Sequence, residues 1–197
     1  DYGGIDAGEL NDLRKVVNSF SMPDSVSVLS NKVVNGDPAN SRSGIGNLSA
    51  VSGALQMEKL IGKWFMGTDL PTASGTYQRA NGSLFQNGIS YTDVDQGGVG
   101  DCYFMASLAT VAQRTPNSIR NMFTDNGDGT FTVRFFTNGK ADYVTVDRYL
   151  PTDNWGGFIY ANNSSGLAYN DSRNELWGAL AEKAYAQINE SGGIGHD

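Results

Sequence analysis

The residues best suited to chemistry lie between Gln96 and Ala109, which read QGGVGDCYFMASLA and contain the single cysteine. The glycines before Cys102 allow a tight backbone turn, and the run after it predicts a helix that Asp101 can cap. The unpaired N–H groups and the dipole of a first helical turn favour a thiolate, so we expect Cys102 to be an accessible, reactive nucleophile. The carboxamide of Gln96 and the backbone N–H of Cys102 are the expected donors to an oxyanion. The alternative is that Cys102 is a small, buried apolar residue without a chemical role.

The elements that must position this turn are short helices and a β-hairpin. Apolar residues at helical spacing predict four helices, at residues 7–20, 49–66, 102–114 and 174–190. Alternation on both sides of Asn138-Gly139 predicts a hairpin of residues 131–137 and 141–146. We expect residues 21–47 to form an irregular connector with one strand at 25–29, and residues 149–157 to form a loop before a short strand at 158–160. The last helix should pack against the helix that carries Cys102.

Two separated motifs resemble the calpain family of cysteine proteases. The first is GDCY at residues 100–103, and the second is NELWGALAEKAYAQ at residues 174–187. The nucleophile signature is also similar to that of papain, although Asp101 stands where papain-like proteases carry a small residue. The resemblance covers roughly residues 84–190. It implies an α+β, papain-like fold, of which this chain is the helical nucleophile lobe with a small β-hairpin.

The same resemblance implies a calcium site beside the nucleophile turn. In calpain-type cores the ion is bound by two backbone carbonyls, one aspartate and a glutamate from a later helix. The matching positions here are Gln86 and Gly88 for the carbonyls, and Asp93 and Glu175 for the carboxylates. Oxygen ligands of this mixed kind suit a hard cation such as Ca²⁺. Alternatively, the segment before Asp93 is only a strand and turn, and Glu175 completes a capping box from Ser172.

A second acidic stretch, DNGDGT at residues 125–130, has calcium-loop character at first sight. Glycine occupies the third and fifth ligand positions of an EF-hand register, and no glutamate stands at the twelfth. The stretch therefore predicts a turn.

A thiol protease also needs a histidine as base and acid, and a third group that orients the imidazole. The only histidine is His196, in the tail SGGIGHD, where we expect an ordinary solvated residue. In calpain-like proteases the histidine and an asparagine come from a second lobe, which is missing from this sequence. The resemblance therefore implies that lobe as a partner, and we expect the chain alone not to hydrolyse peptides.

Composition limits the other partners. A formal charge of −7 and a pI near 4.6 argue against nucleic acid or an anionic membrane as a partner. No apolar run approaches the length needed to span a membrane. We expect two parts: a helical and irregular extension at residues 1–80, either a propeptide or a docking arm, and the nucleophile-bearing lobe at residues 81–197.

The resulting prediction is a cysteine endopeptidase that acts on protein or peptide substrates, with regulation by calcium as what the implied site would provide. An alternative is a calcium-binding structural or interaction module that keeps the fold but has lost proteolysis. Another papain-fold enzyme, such as a transglutaminase, is disfavoured because the motif at residues 174–187 resembles that of calpains.

Overall fold

The computed structural model describes residues 3–162 and 166–190 and confirms the predicted α+β class. Its helices are α1 Ala7–Ser19, α2 Asp24–Val34, α3 Pro38–Arg42, α4 Ala54–Phe65, α5 Cys102–Arg114, α6 Pro116–Arg120 and α7 Trp177–Asn189. Its strands are β1 Thr76–Arg79, β2 Phe123–Asp125, β3 Phe131–Thr137, β4 Lys140–Val146 and β5 Tyr149–Thr152. Within the described ranges, every helix is too short or too polar to cross a membrane.

The chain divides into two compact units, each made of segments that are separated in sequence. Unit 1 consists of the described parts of Asp1–Asp69, Arg134–Thr145 and Gln187–Asp197. Unit 2 consists of the described parts of Leu70–Val133 and Val146–Ala186, and it contains Cys102 and the other predicted site residues. The division at residue 80 into an extension and a lobe stays a prediction.

Unit 1 is built from α1 to α4 around the buried ring of Trp64. The indole N–H of Trp64 donates to Oδ1 of Asn40 at 2.7 Å, and the ammonium of Lys32 lies 4.4 Å from the ring centroid. Helix α1 begins with a capping box, in which Glu9 N–H donates to the Asp6 carboxylate at 2.8 Å and Asp6 N–H donates to Glu9 at 3.0 Å. This cap satisfies N–H groups that an uncapped helix start leaves without partners.

Unit 2 holds helix α5, helix α7 as far as Ala186, and the two-stranded antiparallel sheet of β1 and β5, which pair from Thr76↔Thr152 to Arg79↔Tyr149. Strand β2 pairs with the first three residues of β3, from Phe123↔Val133 to Asp125↔Phe131. The rest of β3, and β4 as far as Thr145, belong to unit 1. The ring of Phe104 in α5 stacks on Tyr185 in α7, with the centroids 4.0 Å apart. The predicted packing of the last helix against the nucleophile helix is therefore confirmed.

Helices α1, α4 and α5 and the hairpin lie close to where the sequence predicted them. The prediction of an irregular connector at residues 21–47 was wrong. Residues 24–34 form helix α2, with no strand at 25–29, because burial of Leu29, Lys32 and Val33 on one face outweighs the β-propensity of the valines. Residues 149–152 form strand β5 where a loop was predicted. Pro151 is tolerated because a two-stranded sheet has only edge strands.

Two boundaries near the site also differ from the prediction. Residues 158–160 do not form the predicted strand, and Phe158 makes only an isolated β-bridge to Thr152. Helix α7 begins at Trp177 and not at residue 174, so Glu175 lies two positions before the helix.

Candidate active site

Cys102 is the first residue of helix α5 and its side chain is exposed. The helix buries Met105, Leu108 and Ala112, and this apolar face fixes the orientation of the first turn. The backbone N–H of Cys102 donates to none of the residues that the structure describes. The sulfur and one N–H donor are therefore both accessible at the start of the helix, and the alternative of a buried cysteine was wrong. The reactivity of Cys102 stays a prediction.

The turn before Cys102 is attached to the chain segment that follows β5. Gly98 N–H donates to the carbonyl of Ile159 at 2.7 Å, while Asp95 and Asn162 exchange two backbone hydrogen bonds of 2.7 and 3.2 Å. A Cβ on residue 97 would lie 2.0 Å from the Ile159 carbonyl oxygen, so only glycine fits at this close approach. We call residues 95–102 the nucleophile turn and residues 158–162 the supporting segment.

Gln96 lies within this turn, with its carboxamide N–H donating to the carbonyl of Val99 at 2.9 Å. A carboxamide carries two N–H donors, so this contact leaves one available. Gln96 as a donor to an oxyanion stays a prediction.

Asp101 is the N-cap residue of α5 by position, but the expectation of a side-chain cap was wrong. Its carboxylate makes no capping hydrogen bond, is 6% exposed, and has no hydrogen-bond partner on either oxygen among the described residues. Burial raises the pKa of Asp101 above its usual range. A buried carboxyl group without partners is costly, so this feature calls for an explanation.

Glu182 of α7 is a second buried carboxyl group in this region, and the sequence analysis missed it. It is 2% exposed, and its Oε2 accepts the N–H of Ala161 in the supporting segment at 2.6 Å. The pKa of Glu182 is raised to about 8, chiefly by burial and further by the charge of Asp101, against the lowering effect of the Ala161 N–H. A glutamate next to the apolar face of a helix is ordinarily exposed to solvent. Glu182 is buried because α7 is packed on all sides at this position.

Three of the predicted calcium ligands, Gln86, Asp93 and Glu175, form a second cluster. Gln86 N–H donates to Oε1 of Glu175 at 2.8 Å. Asp93 ends a 3₁₀ turn at Tyr91–Asp93, and its Oδ2 accepts the N–H of Ser90 at 2.6 Å and the indole N–H of Trp177 at 3.3 Å. Trp177 is fully buried, and its indole N–H connects the start of α7 to Asp93.

Electrostatics couple the two carboxylates of this cluster. The pKa of Glu175 is raised to about 7, first by burial and also by the charge of Asp93, while the Gln86 N–H lowers it. Neither carboxylate forms an ion pair with a described lysine or arginine. The capping-box alternative was wrong, because Glu175 lies before the helix and its side chain binds Gln86.

The donor set of this cluster fits a hard cation. Oε2 of Glu175, Oδ1 of Asp93 and the carbonyls of Gln86 and Gly88 accept no hydrogen bond from any described residue. Gly88 has a left-handed backbone with φ of 99° and open space around its Cβ position. Across the described parts of the chain, no group of three or more His, Cys, Asp or Glu side chains could hold a metal, so carbonyl oxygens would have to complete this site.

The stretch at residues 125–130 is a turn, as predicted. Gly127 N–H donates to the Asp125 carboxylate at 2.9 Å, and the hydroxyl and N–H of Thr130 donate to Asp128 at 2.6 and 2.9 Å. Both carboxylates are occupied by this local turn between β2 and β3. His196 lies outside the described residues, which contain no histidine.

Comparison with known proteins bears directly on this arrangement. A sequence profile of the calpain family of cysteine proteases matches residues 63–193. Calpain-A of Drosophila melanogaster is 36% identical over 116 residues, which cover 56% of this chain and 13% of that protein. Calpain clp-4 of Caenorhabditis elegans is 37% identical over 114 residues (55% and 15%), and Calpain-8 of Homo sapiens is 35% identical over 107 residues (52% and 14%). The chain therefore spans only a small part of the length of these relatives.

Proposed function

Because the chain belongs to the calpain family of cysteine proteases, we propose that it carries the nucleophile of a cysteine endopeptidase acting on protein or peptide substrates. The observation that carries the proposal is the exposed Cys102 at the first residue of α5, inside the matched region. The proposed fold is the papain-like nucleophile lobe of such an enzyme, with residues 1–80 as an extension outside it.

The chemistry is acyl transfer through a thioester. The Cys102 thiolate attacks the carbonyl carbon of the scissile peptide, and the oxyanion is stabilised by the Cys102 N–H and the side-chain amide of Gln96. The C–N bond then breaks as the leaving amine takes a proton from a histidine. Water, deprotonated by the same histidine, finally hydrolyses the thioester and releases the acid. The proposal assigns the histidine and its orienting asparagine to a second lobe, because the described residues contain no histidine.

A calcium ion is proposed at the cluster beside the turn. Gln86 and Gly88 would contribute carbonyl oxygens, and Asp93 and Glu175 would contribute carboxylates. Two observations support this: these oxygens accept no hydrogen bond from the residues that the structure describes, and the two acids repel each other. A bound cation would neutralise that repulsion and hold the loop of residues 86–93 to the chain before α7.

The test is a fluorogenic peptide assay with calcium on two proteins. One is this chain alone, and the other is this chain fused to the remaining protease region of Drosophila melanogaster Calpain-A. We expect turnover by the fusion only, and its loss in Cys102→Ser. General acid–base catalysis is worth about 10² to 10⁴-fold, so the chain alone should stay near background.

Labelling of Cys102 by iodoacetamide in the folded chain is a second readout that does not depend on the fusion. Turnover by the chain alone would show that it contains a competent base, and would contradict the assignment of that base to a second lobe. A folded fusion without turnover, together with a Cys102 that does not react, would favour the calcium-binding module.

A further inference from the structure

Two buried carboxyl groups, Asp101 in the nucleophile turn and Glu182 of α7, have no role in the proposed chemistry. Asp101 and Glu182 are 6% and 2% exposed, and neither forms an ion pair with a described lysine or arginine. Lys183, the neighbour of Glu182 on α7, directs its ammonium to Asp147 and to the carbonyl of Tyr149. Among the described residues, the pair therefore has no cation that forms an ion pair with it.

Glu182 is linked to the nucleophile turn through the supporting segment, by one side-chain hydrogen bond and by the backbone hydrogen bonds on either side of it. Its carboxyl group accepts the N–H of Ala161, which is fully buried in the supporting segment. On either side of Ala161, the supporting segment binds the nucleophile turn, through Ile159 to Gly98 and through Asn162 to Asp95. The side chain of Glu182 thus fixes the segment against which the turn is held.

The tyrosines that face Asp101 and Glu182 supply no positive charge to this pair. Tyr160 of the supporting segment is buried, and its hydroxyl lies 3.1 Å from that of Tyr77 in β1. Burial raises the pKa of Tyr160, and so do Tyr77, Glu182 and Asp101; Tyr185 of α7 is shifted in the same direction by burial, by Tyr103 and by Asp101. Both phenols are neutral at physiological pH. Ionisation of both carboxyl groups would leave two buried negative charges that repel each other, so at least one proton is retained.

We propose that Glu182 is a positioning residue for the nucleophile turn, and that it holds the supporting segment as a protonated carboxylic acid beside the buried Asp101. This inference rests on the proposed function of Cys102 as the nucleophile. Deprotonation of Glu182 would place a second charge in the pair, draw water into the packing and loosen the turn. Glu182 does not touch the reacting atoms, and it acts through Ala161.

The first experiment compares Glu182→Gln, Glu182→Leu and the unchanged protein. Glutamine keeps a carbonyl oxygen for the Ala161 N–H and cannot ionise, whereas leucine has no acceptor. Iodoacetamide alkylation of Cys102 is followed against pH, and each variant's rate is divided by that of the unchanged protein at the same pH, so that titration of the thiol cancels. Glu58→Gln removes an exposed carboxylate in unit 1 and is the matched control.

We expect the ratio for Glu182→Gln to rise about threefold or more as the pH passes about 8, because only the unchanged protein loses its proton there. Glu182→Leu should lower the rate at every pH and speed amide exchange at Ala161 and Gly98, and Glu182→Gln should restore both. A flat ratio for Glu182→Gln together with unchanged amide exchange in Glu182→Leu would overturn the proposal.

The second experiment measures Tm against pH and does not require Cys102 to react. The folded pKa of Glu182, about 8, lies above the ordinary glutamate pKa of 4.5, so the folded state keeps a proton that the unfolded state releases. The stability from this group is complete below pH 4.5 and is lost as the pH rises to about 8. The Tm of Glu182→Gln minus that of the unchanged protein should therefore grow across this window, and for Glu58→Gln it should stay constant. If Cys102 is unreactive in every variant, the proposed function fails, while Tm and amide exchange still decide the role of Glu182.

Discussion

Glu175 is the residue at which the calcium proposal is most directly testable. It accepts the Gln86 N–H through one oxygen, its other oxygen accepts no hydrogen bond from a described residue, and the charge of Asp93 repels it. Millimolar calcium should raise the Tm of the chain, by an amount equivalent to about 2.7 kcal/mol at a hundredfold excess over Kd. Glu175→Gln keeps an acceptor for Gln86 but lacks the charge, so it should lose most of this gain. Thermal unfolding with calcium and with a chelator measures both effects.

Asp128→Asn is the matched control for the calcium measurement. Asp128 belongs to the other acidic stretch, where its carboxylate accepts two hydrogen bonds from Thr130. The substitution should leave the calcium-dependent gain in Tm unchanged. If the gain were lost in Asp128→Asn and retained in Glu175→Gln, the calcium ion would be assigned to this turn and not to the proposed cluster.

For single residues, the sequence indicates which side chains can take part in chemistry, but it does not show which of them are buried. The glycines, the cysteine and the apolar run after it are local signals, and they correctly placed Cys102 at an exposed helix start. The orphaned carboxylate of Asp101 and the buried Glu182 depend on how residues 95–102, 158–162 and 182 pack together, which spacing along the chain does not encode. For the same reason, Ser172 and Glu175 fit a capping box in sequence while the helix begins after both.

Among the local elements, the nucleophile turn depends on its contact with the supporting segment. A methyl group on residue 97 would lie 2.0 Å from the carbonyl oxygen of Ile159, closer than any packing allows. Gly97→Ala should therefore push the two backbones apart, destabilise the protein by about 1–3 kcal/mol, and slow alkylation of Cys102. Urea denaturation and the alkylation rate are the two measurements.

Gly98→Ala provides a control from the adjacent position. A Cβ on residue 98 would meet only Cγ2 of Ile159, at 3.7 Å, and the carbonyl oxygen at 3.9 Å, which is ordinary contact. Its effect on stability should stay within about 0.5 kcal/mol. Equal effects of the two substitutions would mean that the close approach at Gly97 does not hold the turn.

Elements with strong local signals were predictable, and elements stabilised by distant contacts were not. Helix α5 follows from its apolar spacing, and the hairpin of β3 and β4 follows from Asn138-Gly139, where both residues have positive φ. Helix α2 is rich in serine and valine, and it is stabilised by tertiary contacts: Leu29 and Val33 are buried, and Lys32 contacts Trp64 and Asp142. Strand β5 exists because β1, about 70 residues earlier, supplies its partner.

On the scale of the whole chain, unit 1 must gather segments from three distant parts of the sequence. Two buried lysines connect these segments. Lys32 of α2 binds Asp142 at 2.8 Å and the carbonyl of Tyr143 at 3.2 Å, within residues 134–145. Lys63 of α4 binds Glu190, next to the end of α7, at 2.7 Å, and it also binds Asp69. The unit therefore depends on charge pairs between segments as well as on its apolar core.

Lys63→Met tests this dependence. The Lys63 side chain is 1% exposed, and methionine preserves much of its apolar length while leaving two part-buried carboxylates without their cation. Removing one partner of a buried ion pair is strongly destabilising, so the free energy of unfolding should fall by about 3 kcal/mol. Lys59→Met removes an exposed lysine of the same helix and should change it by less than about 0.5 kcal/mol. Urea denaturation of both variants gives the comparison. Similar stabilities would show that apolar packing around Trp64 alone gathers the three segments, and that the charge pairs of Lys63 are incidental to the unit.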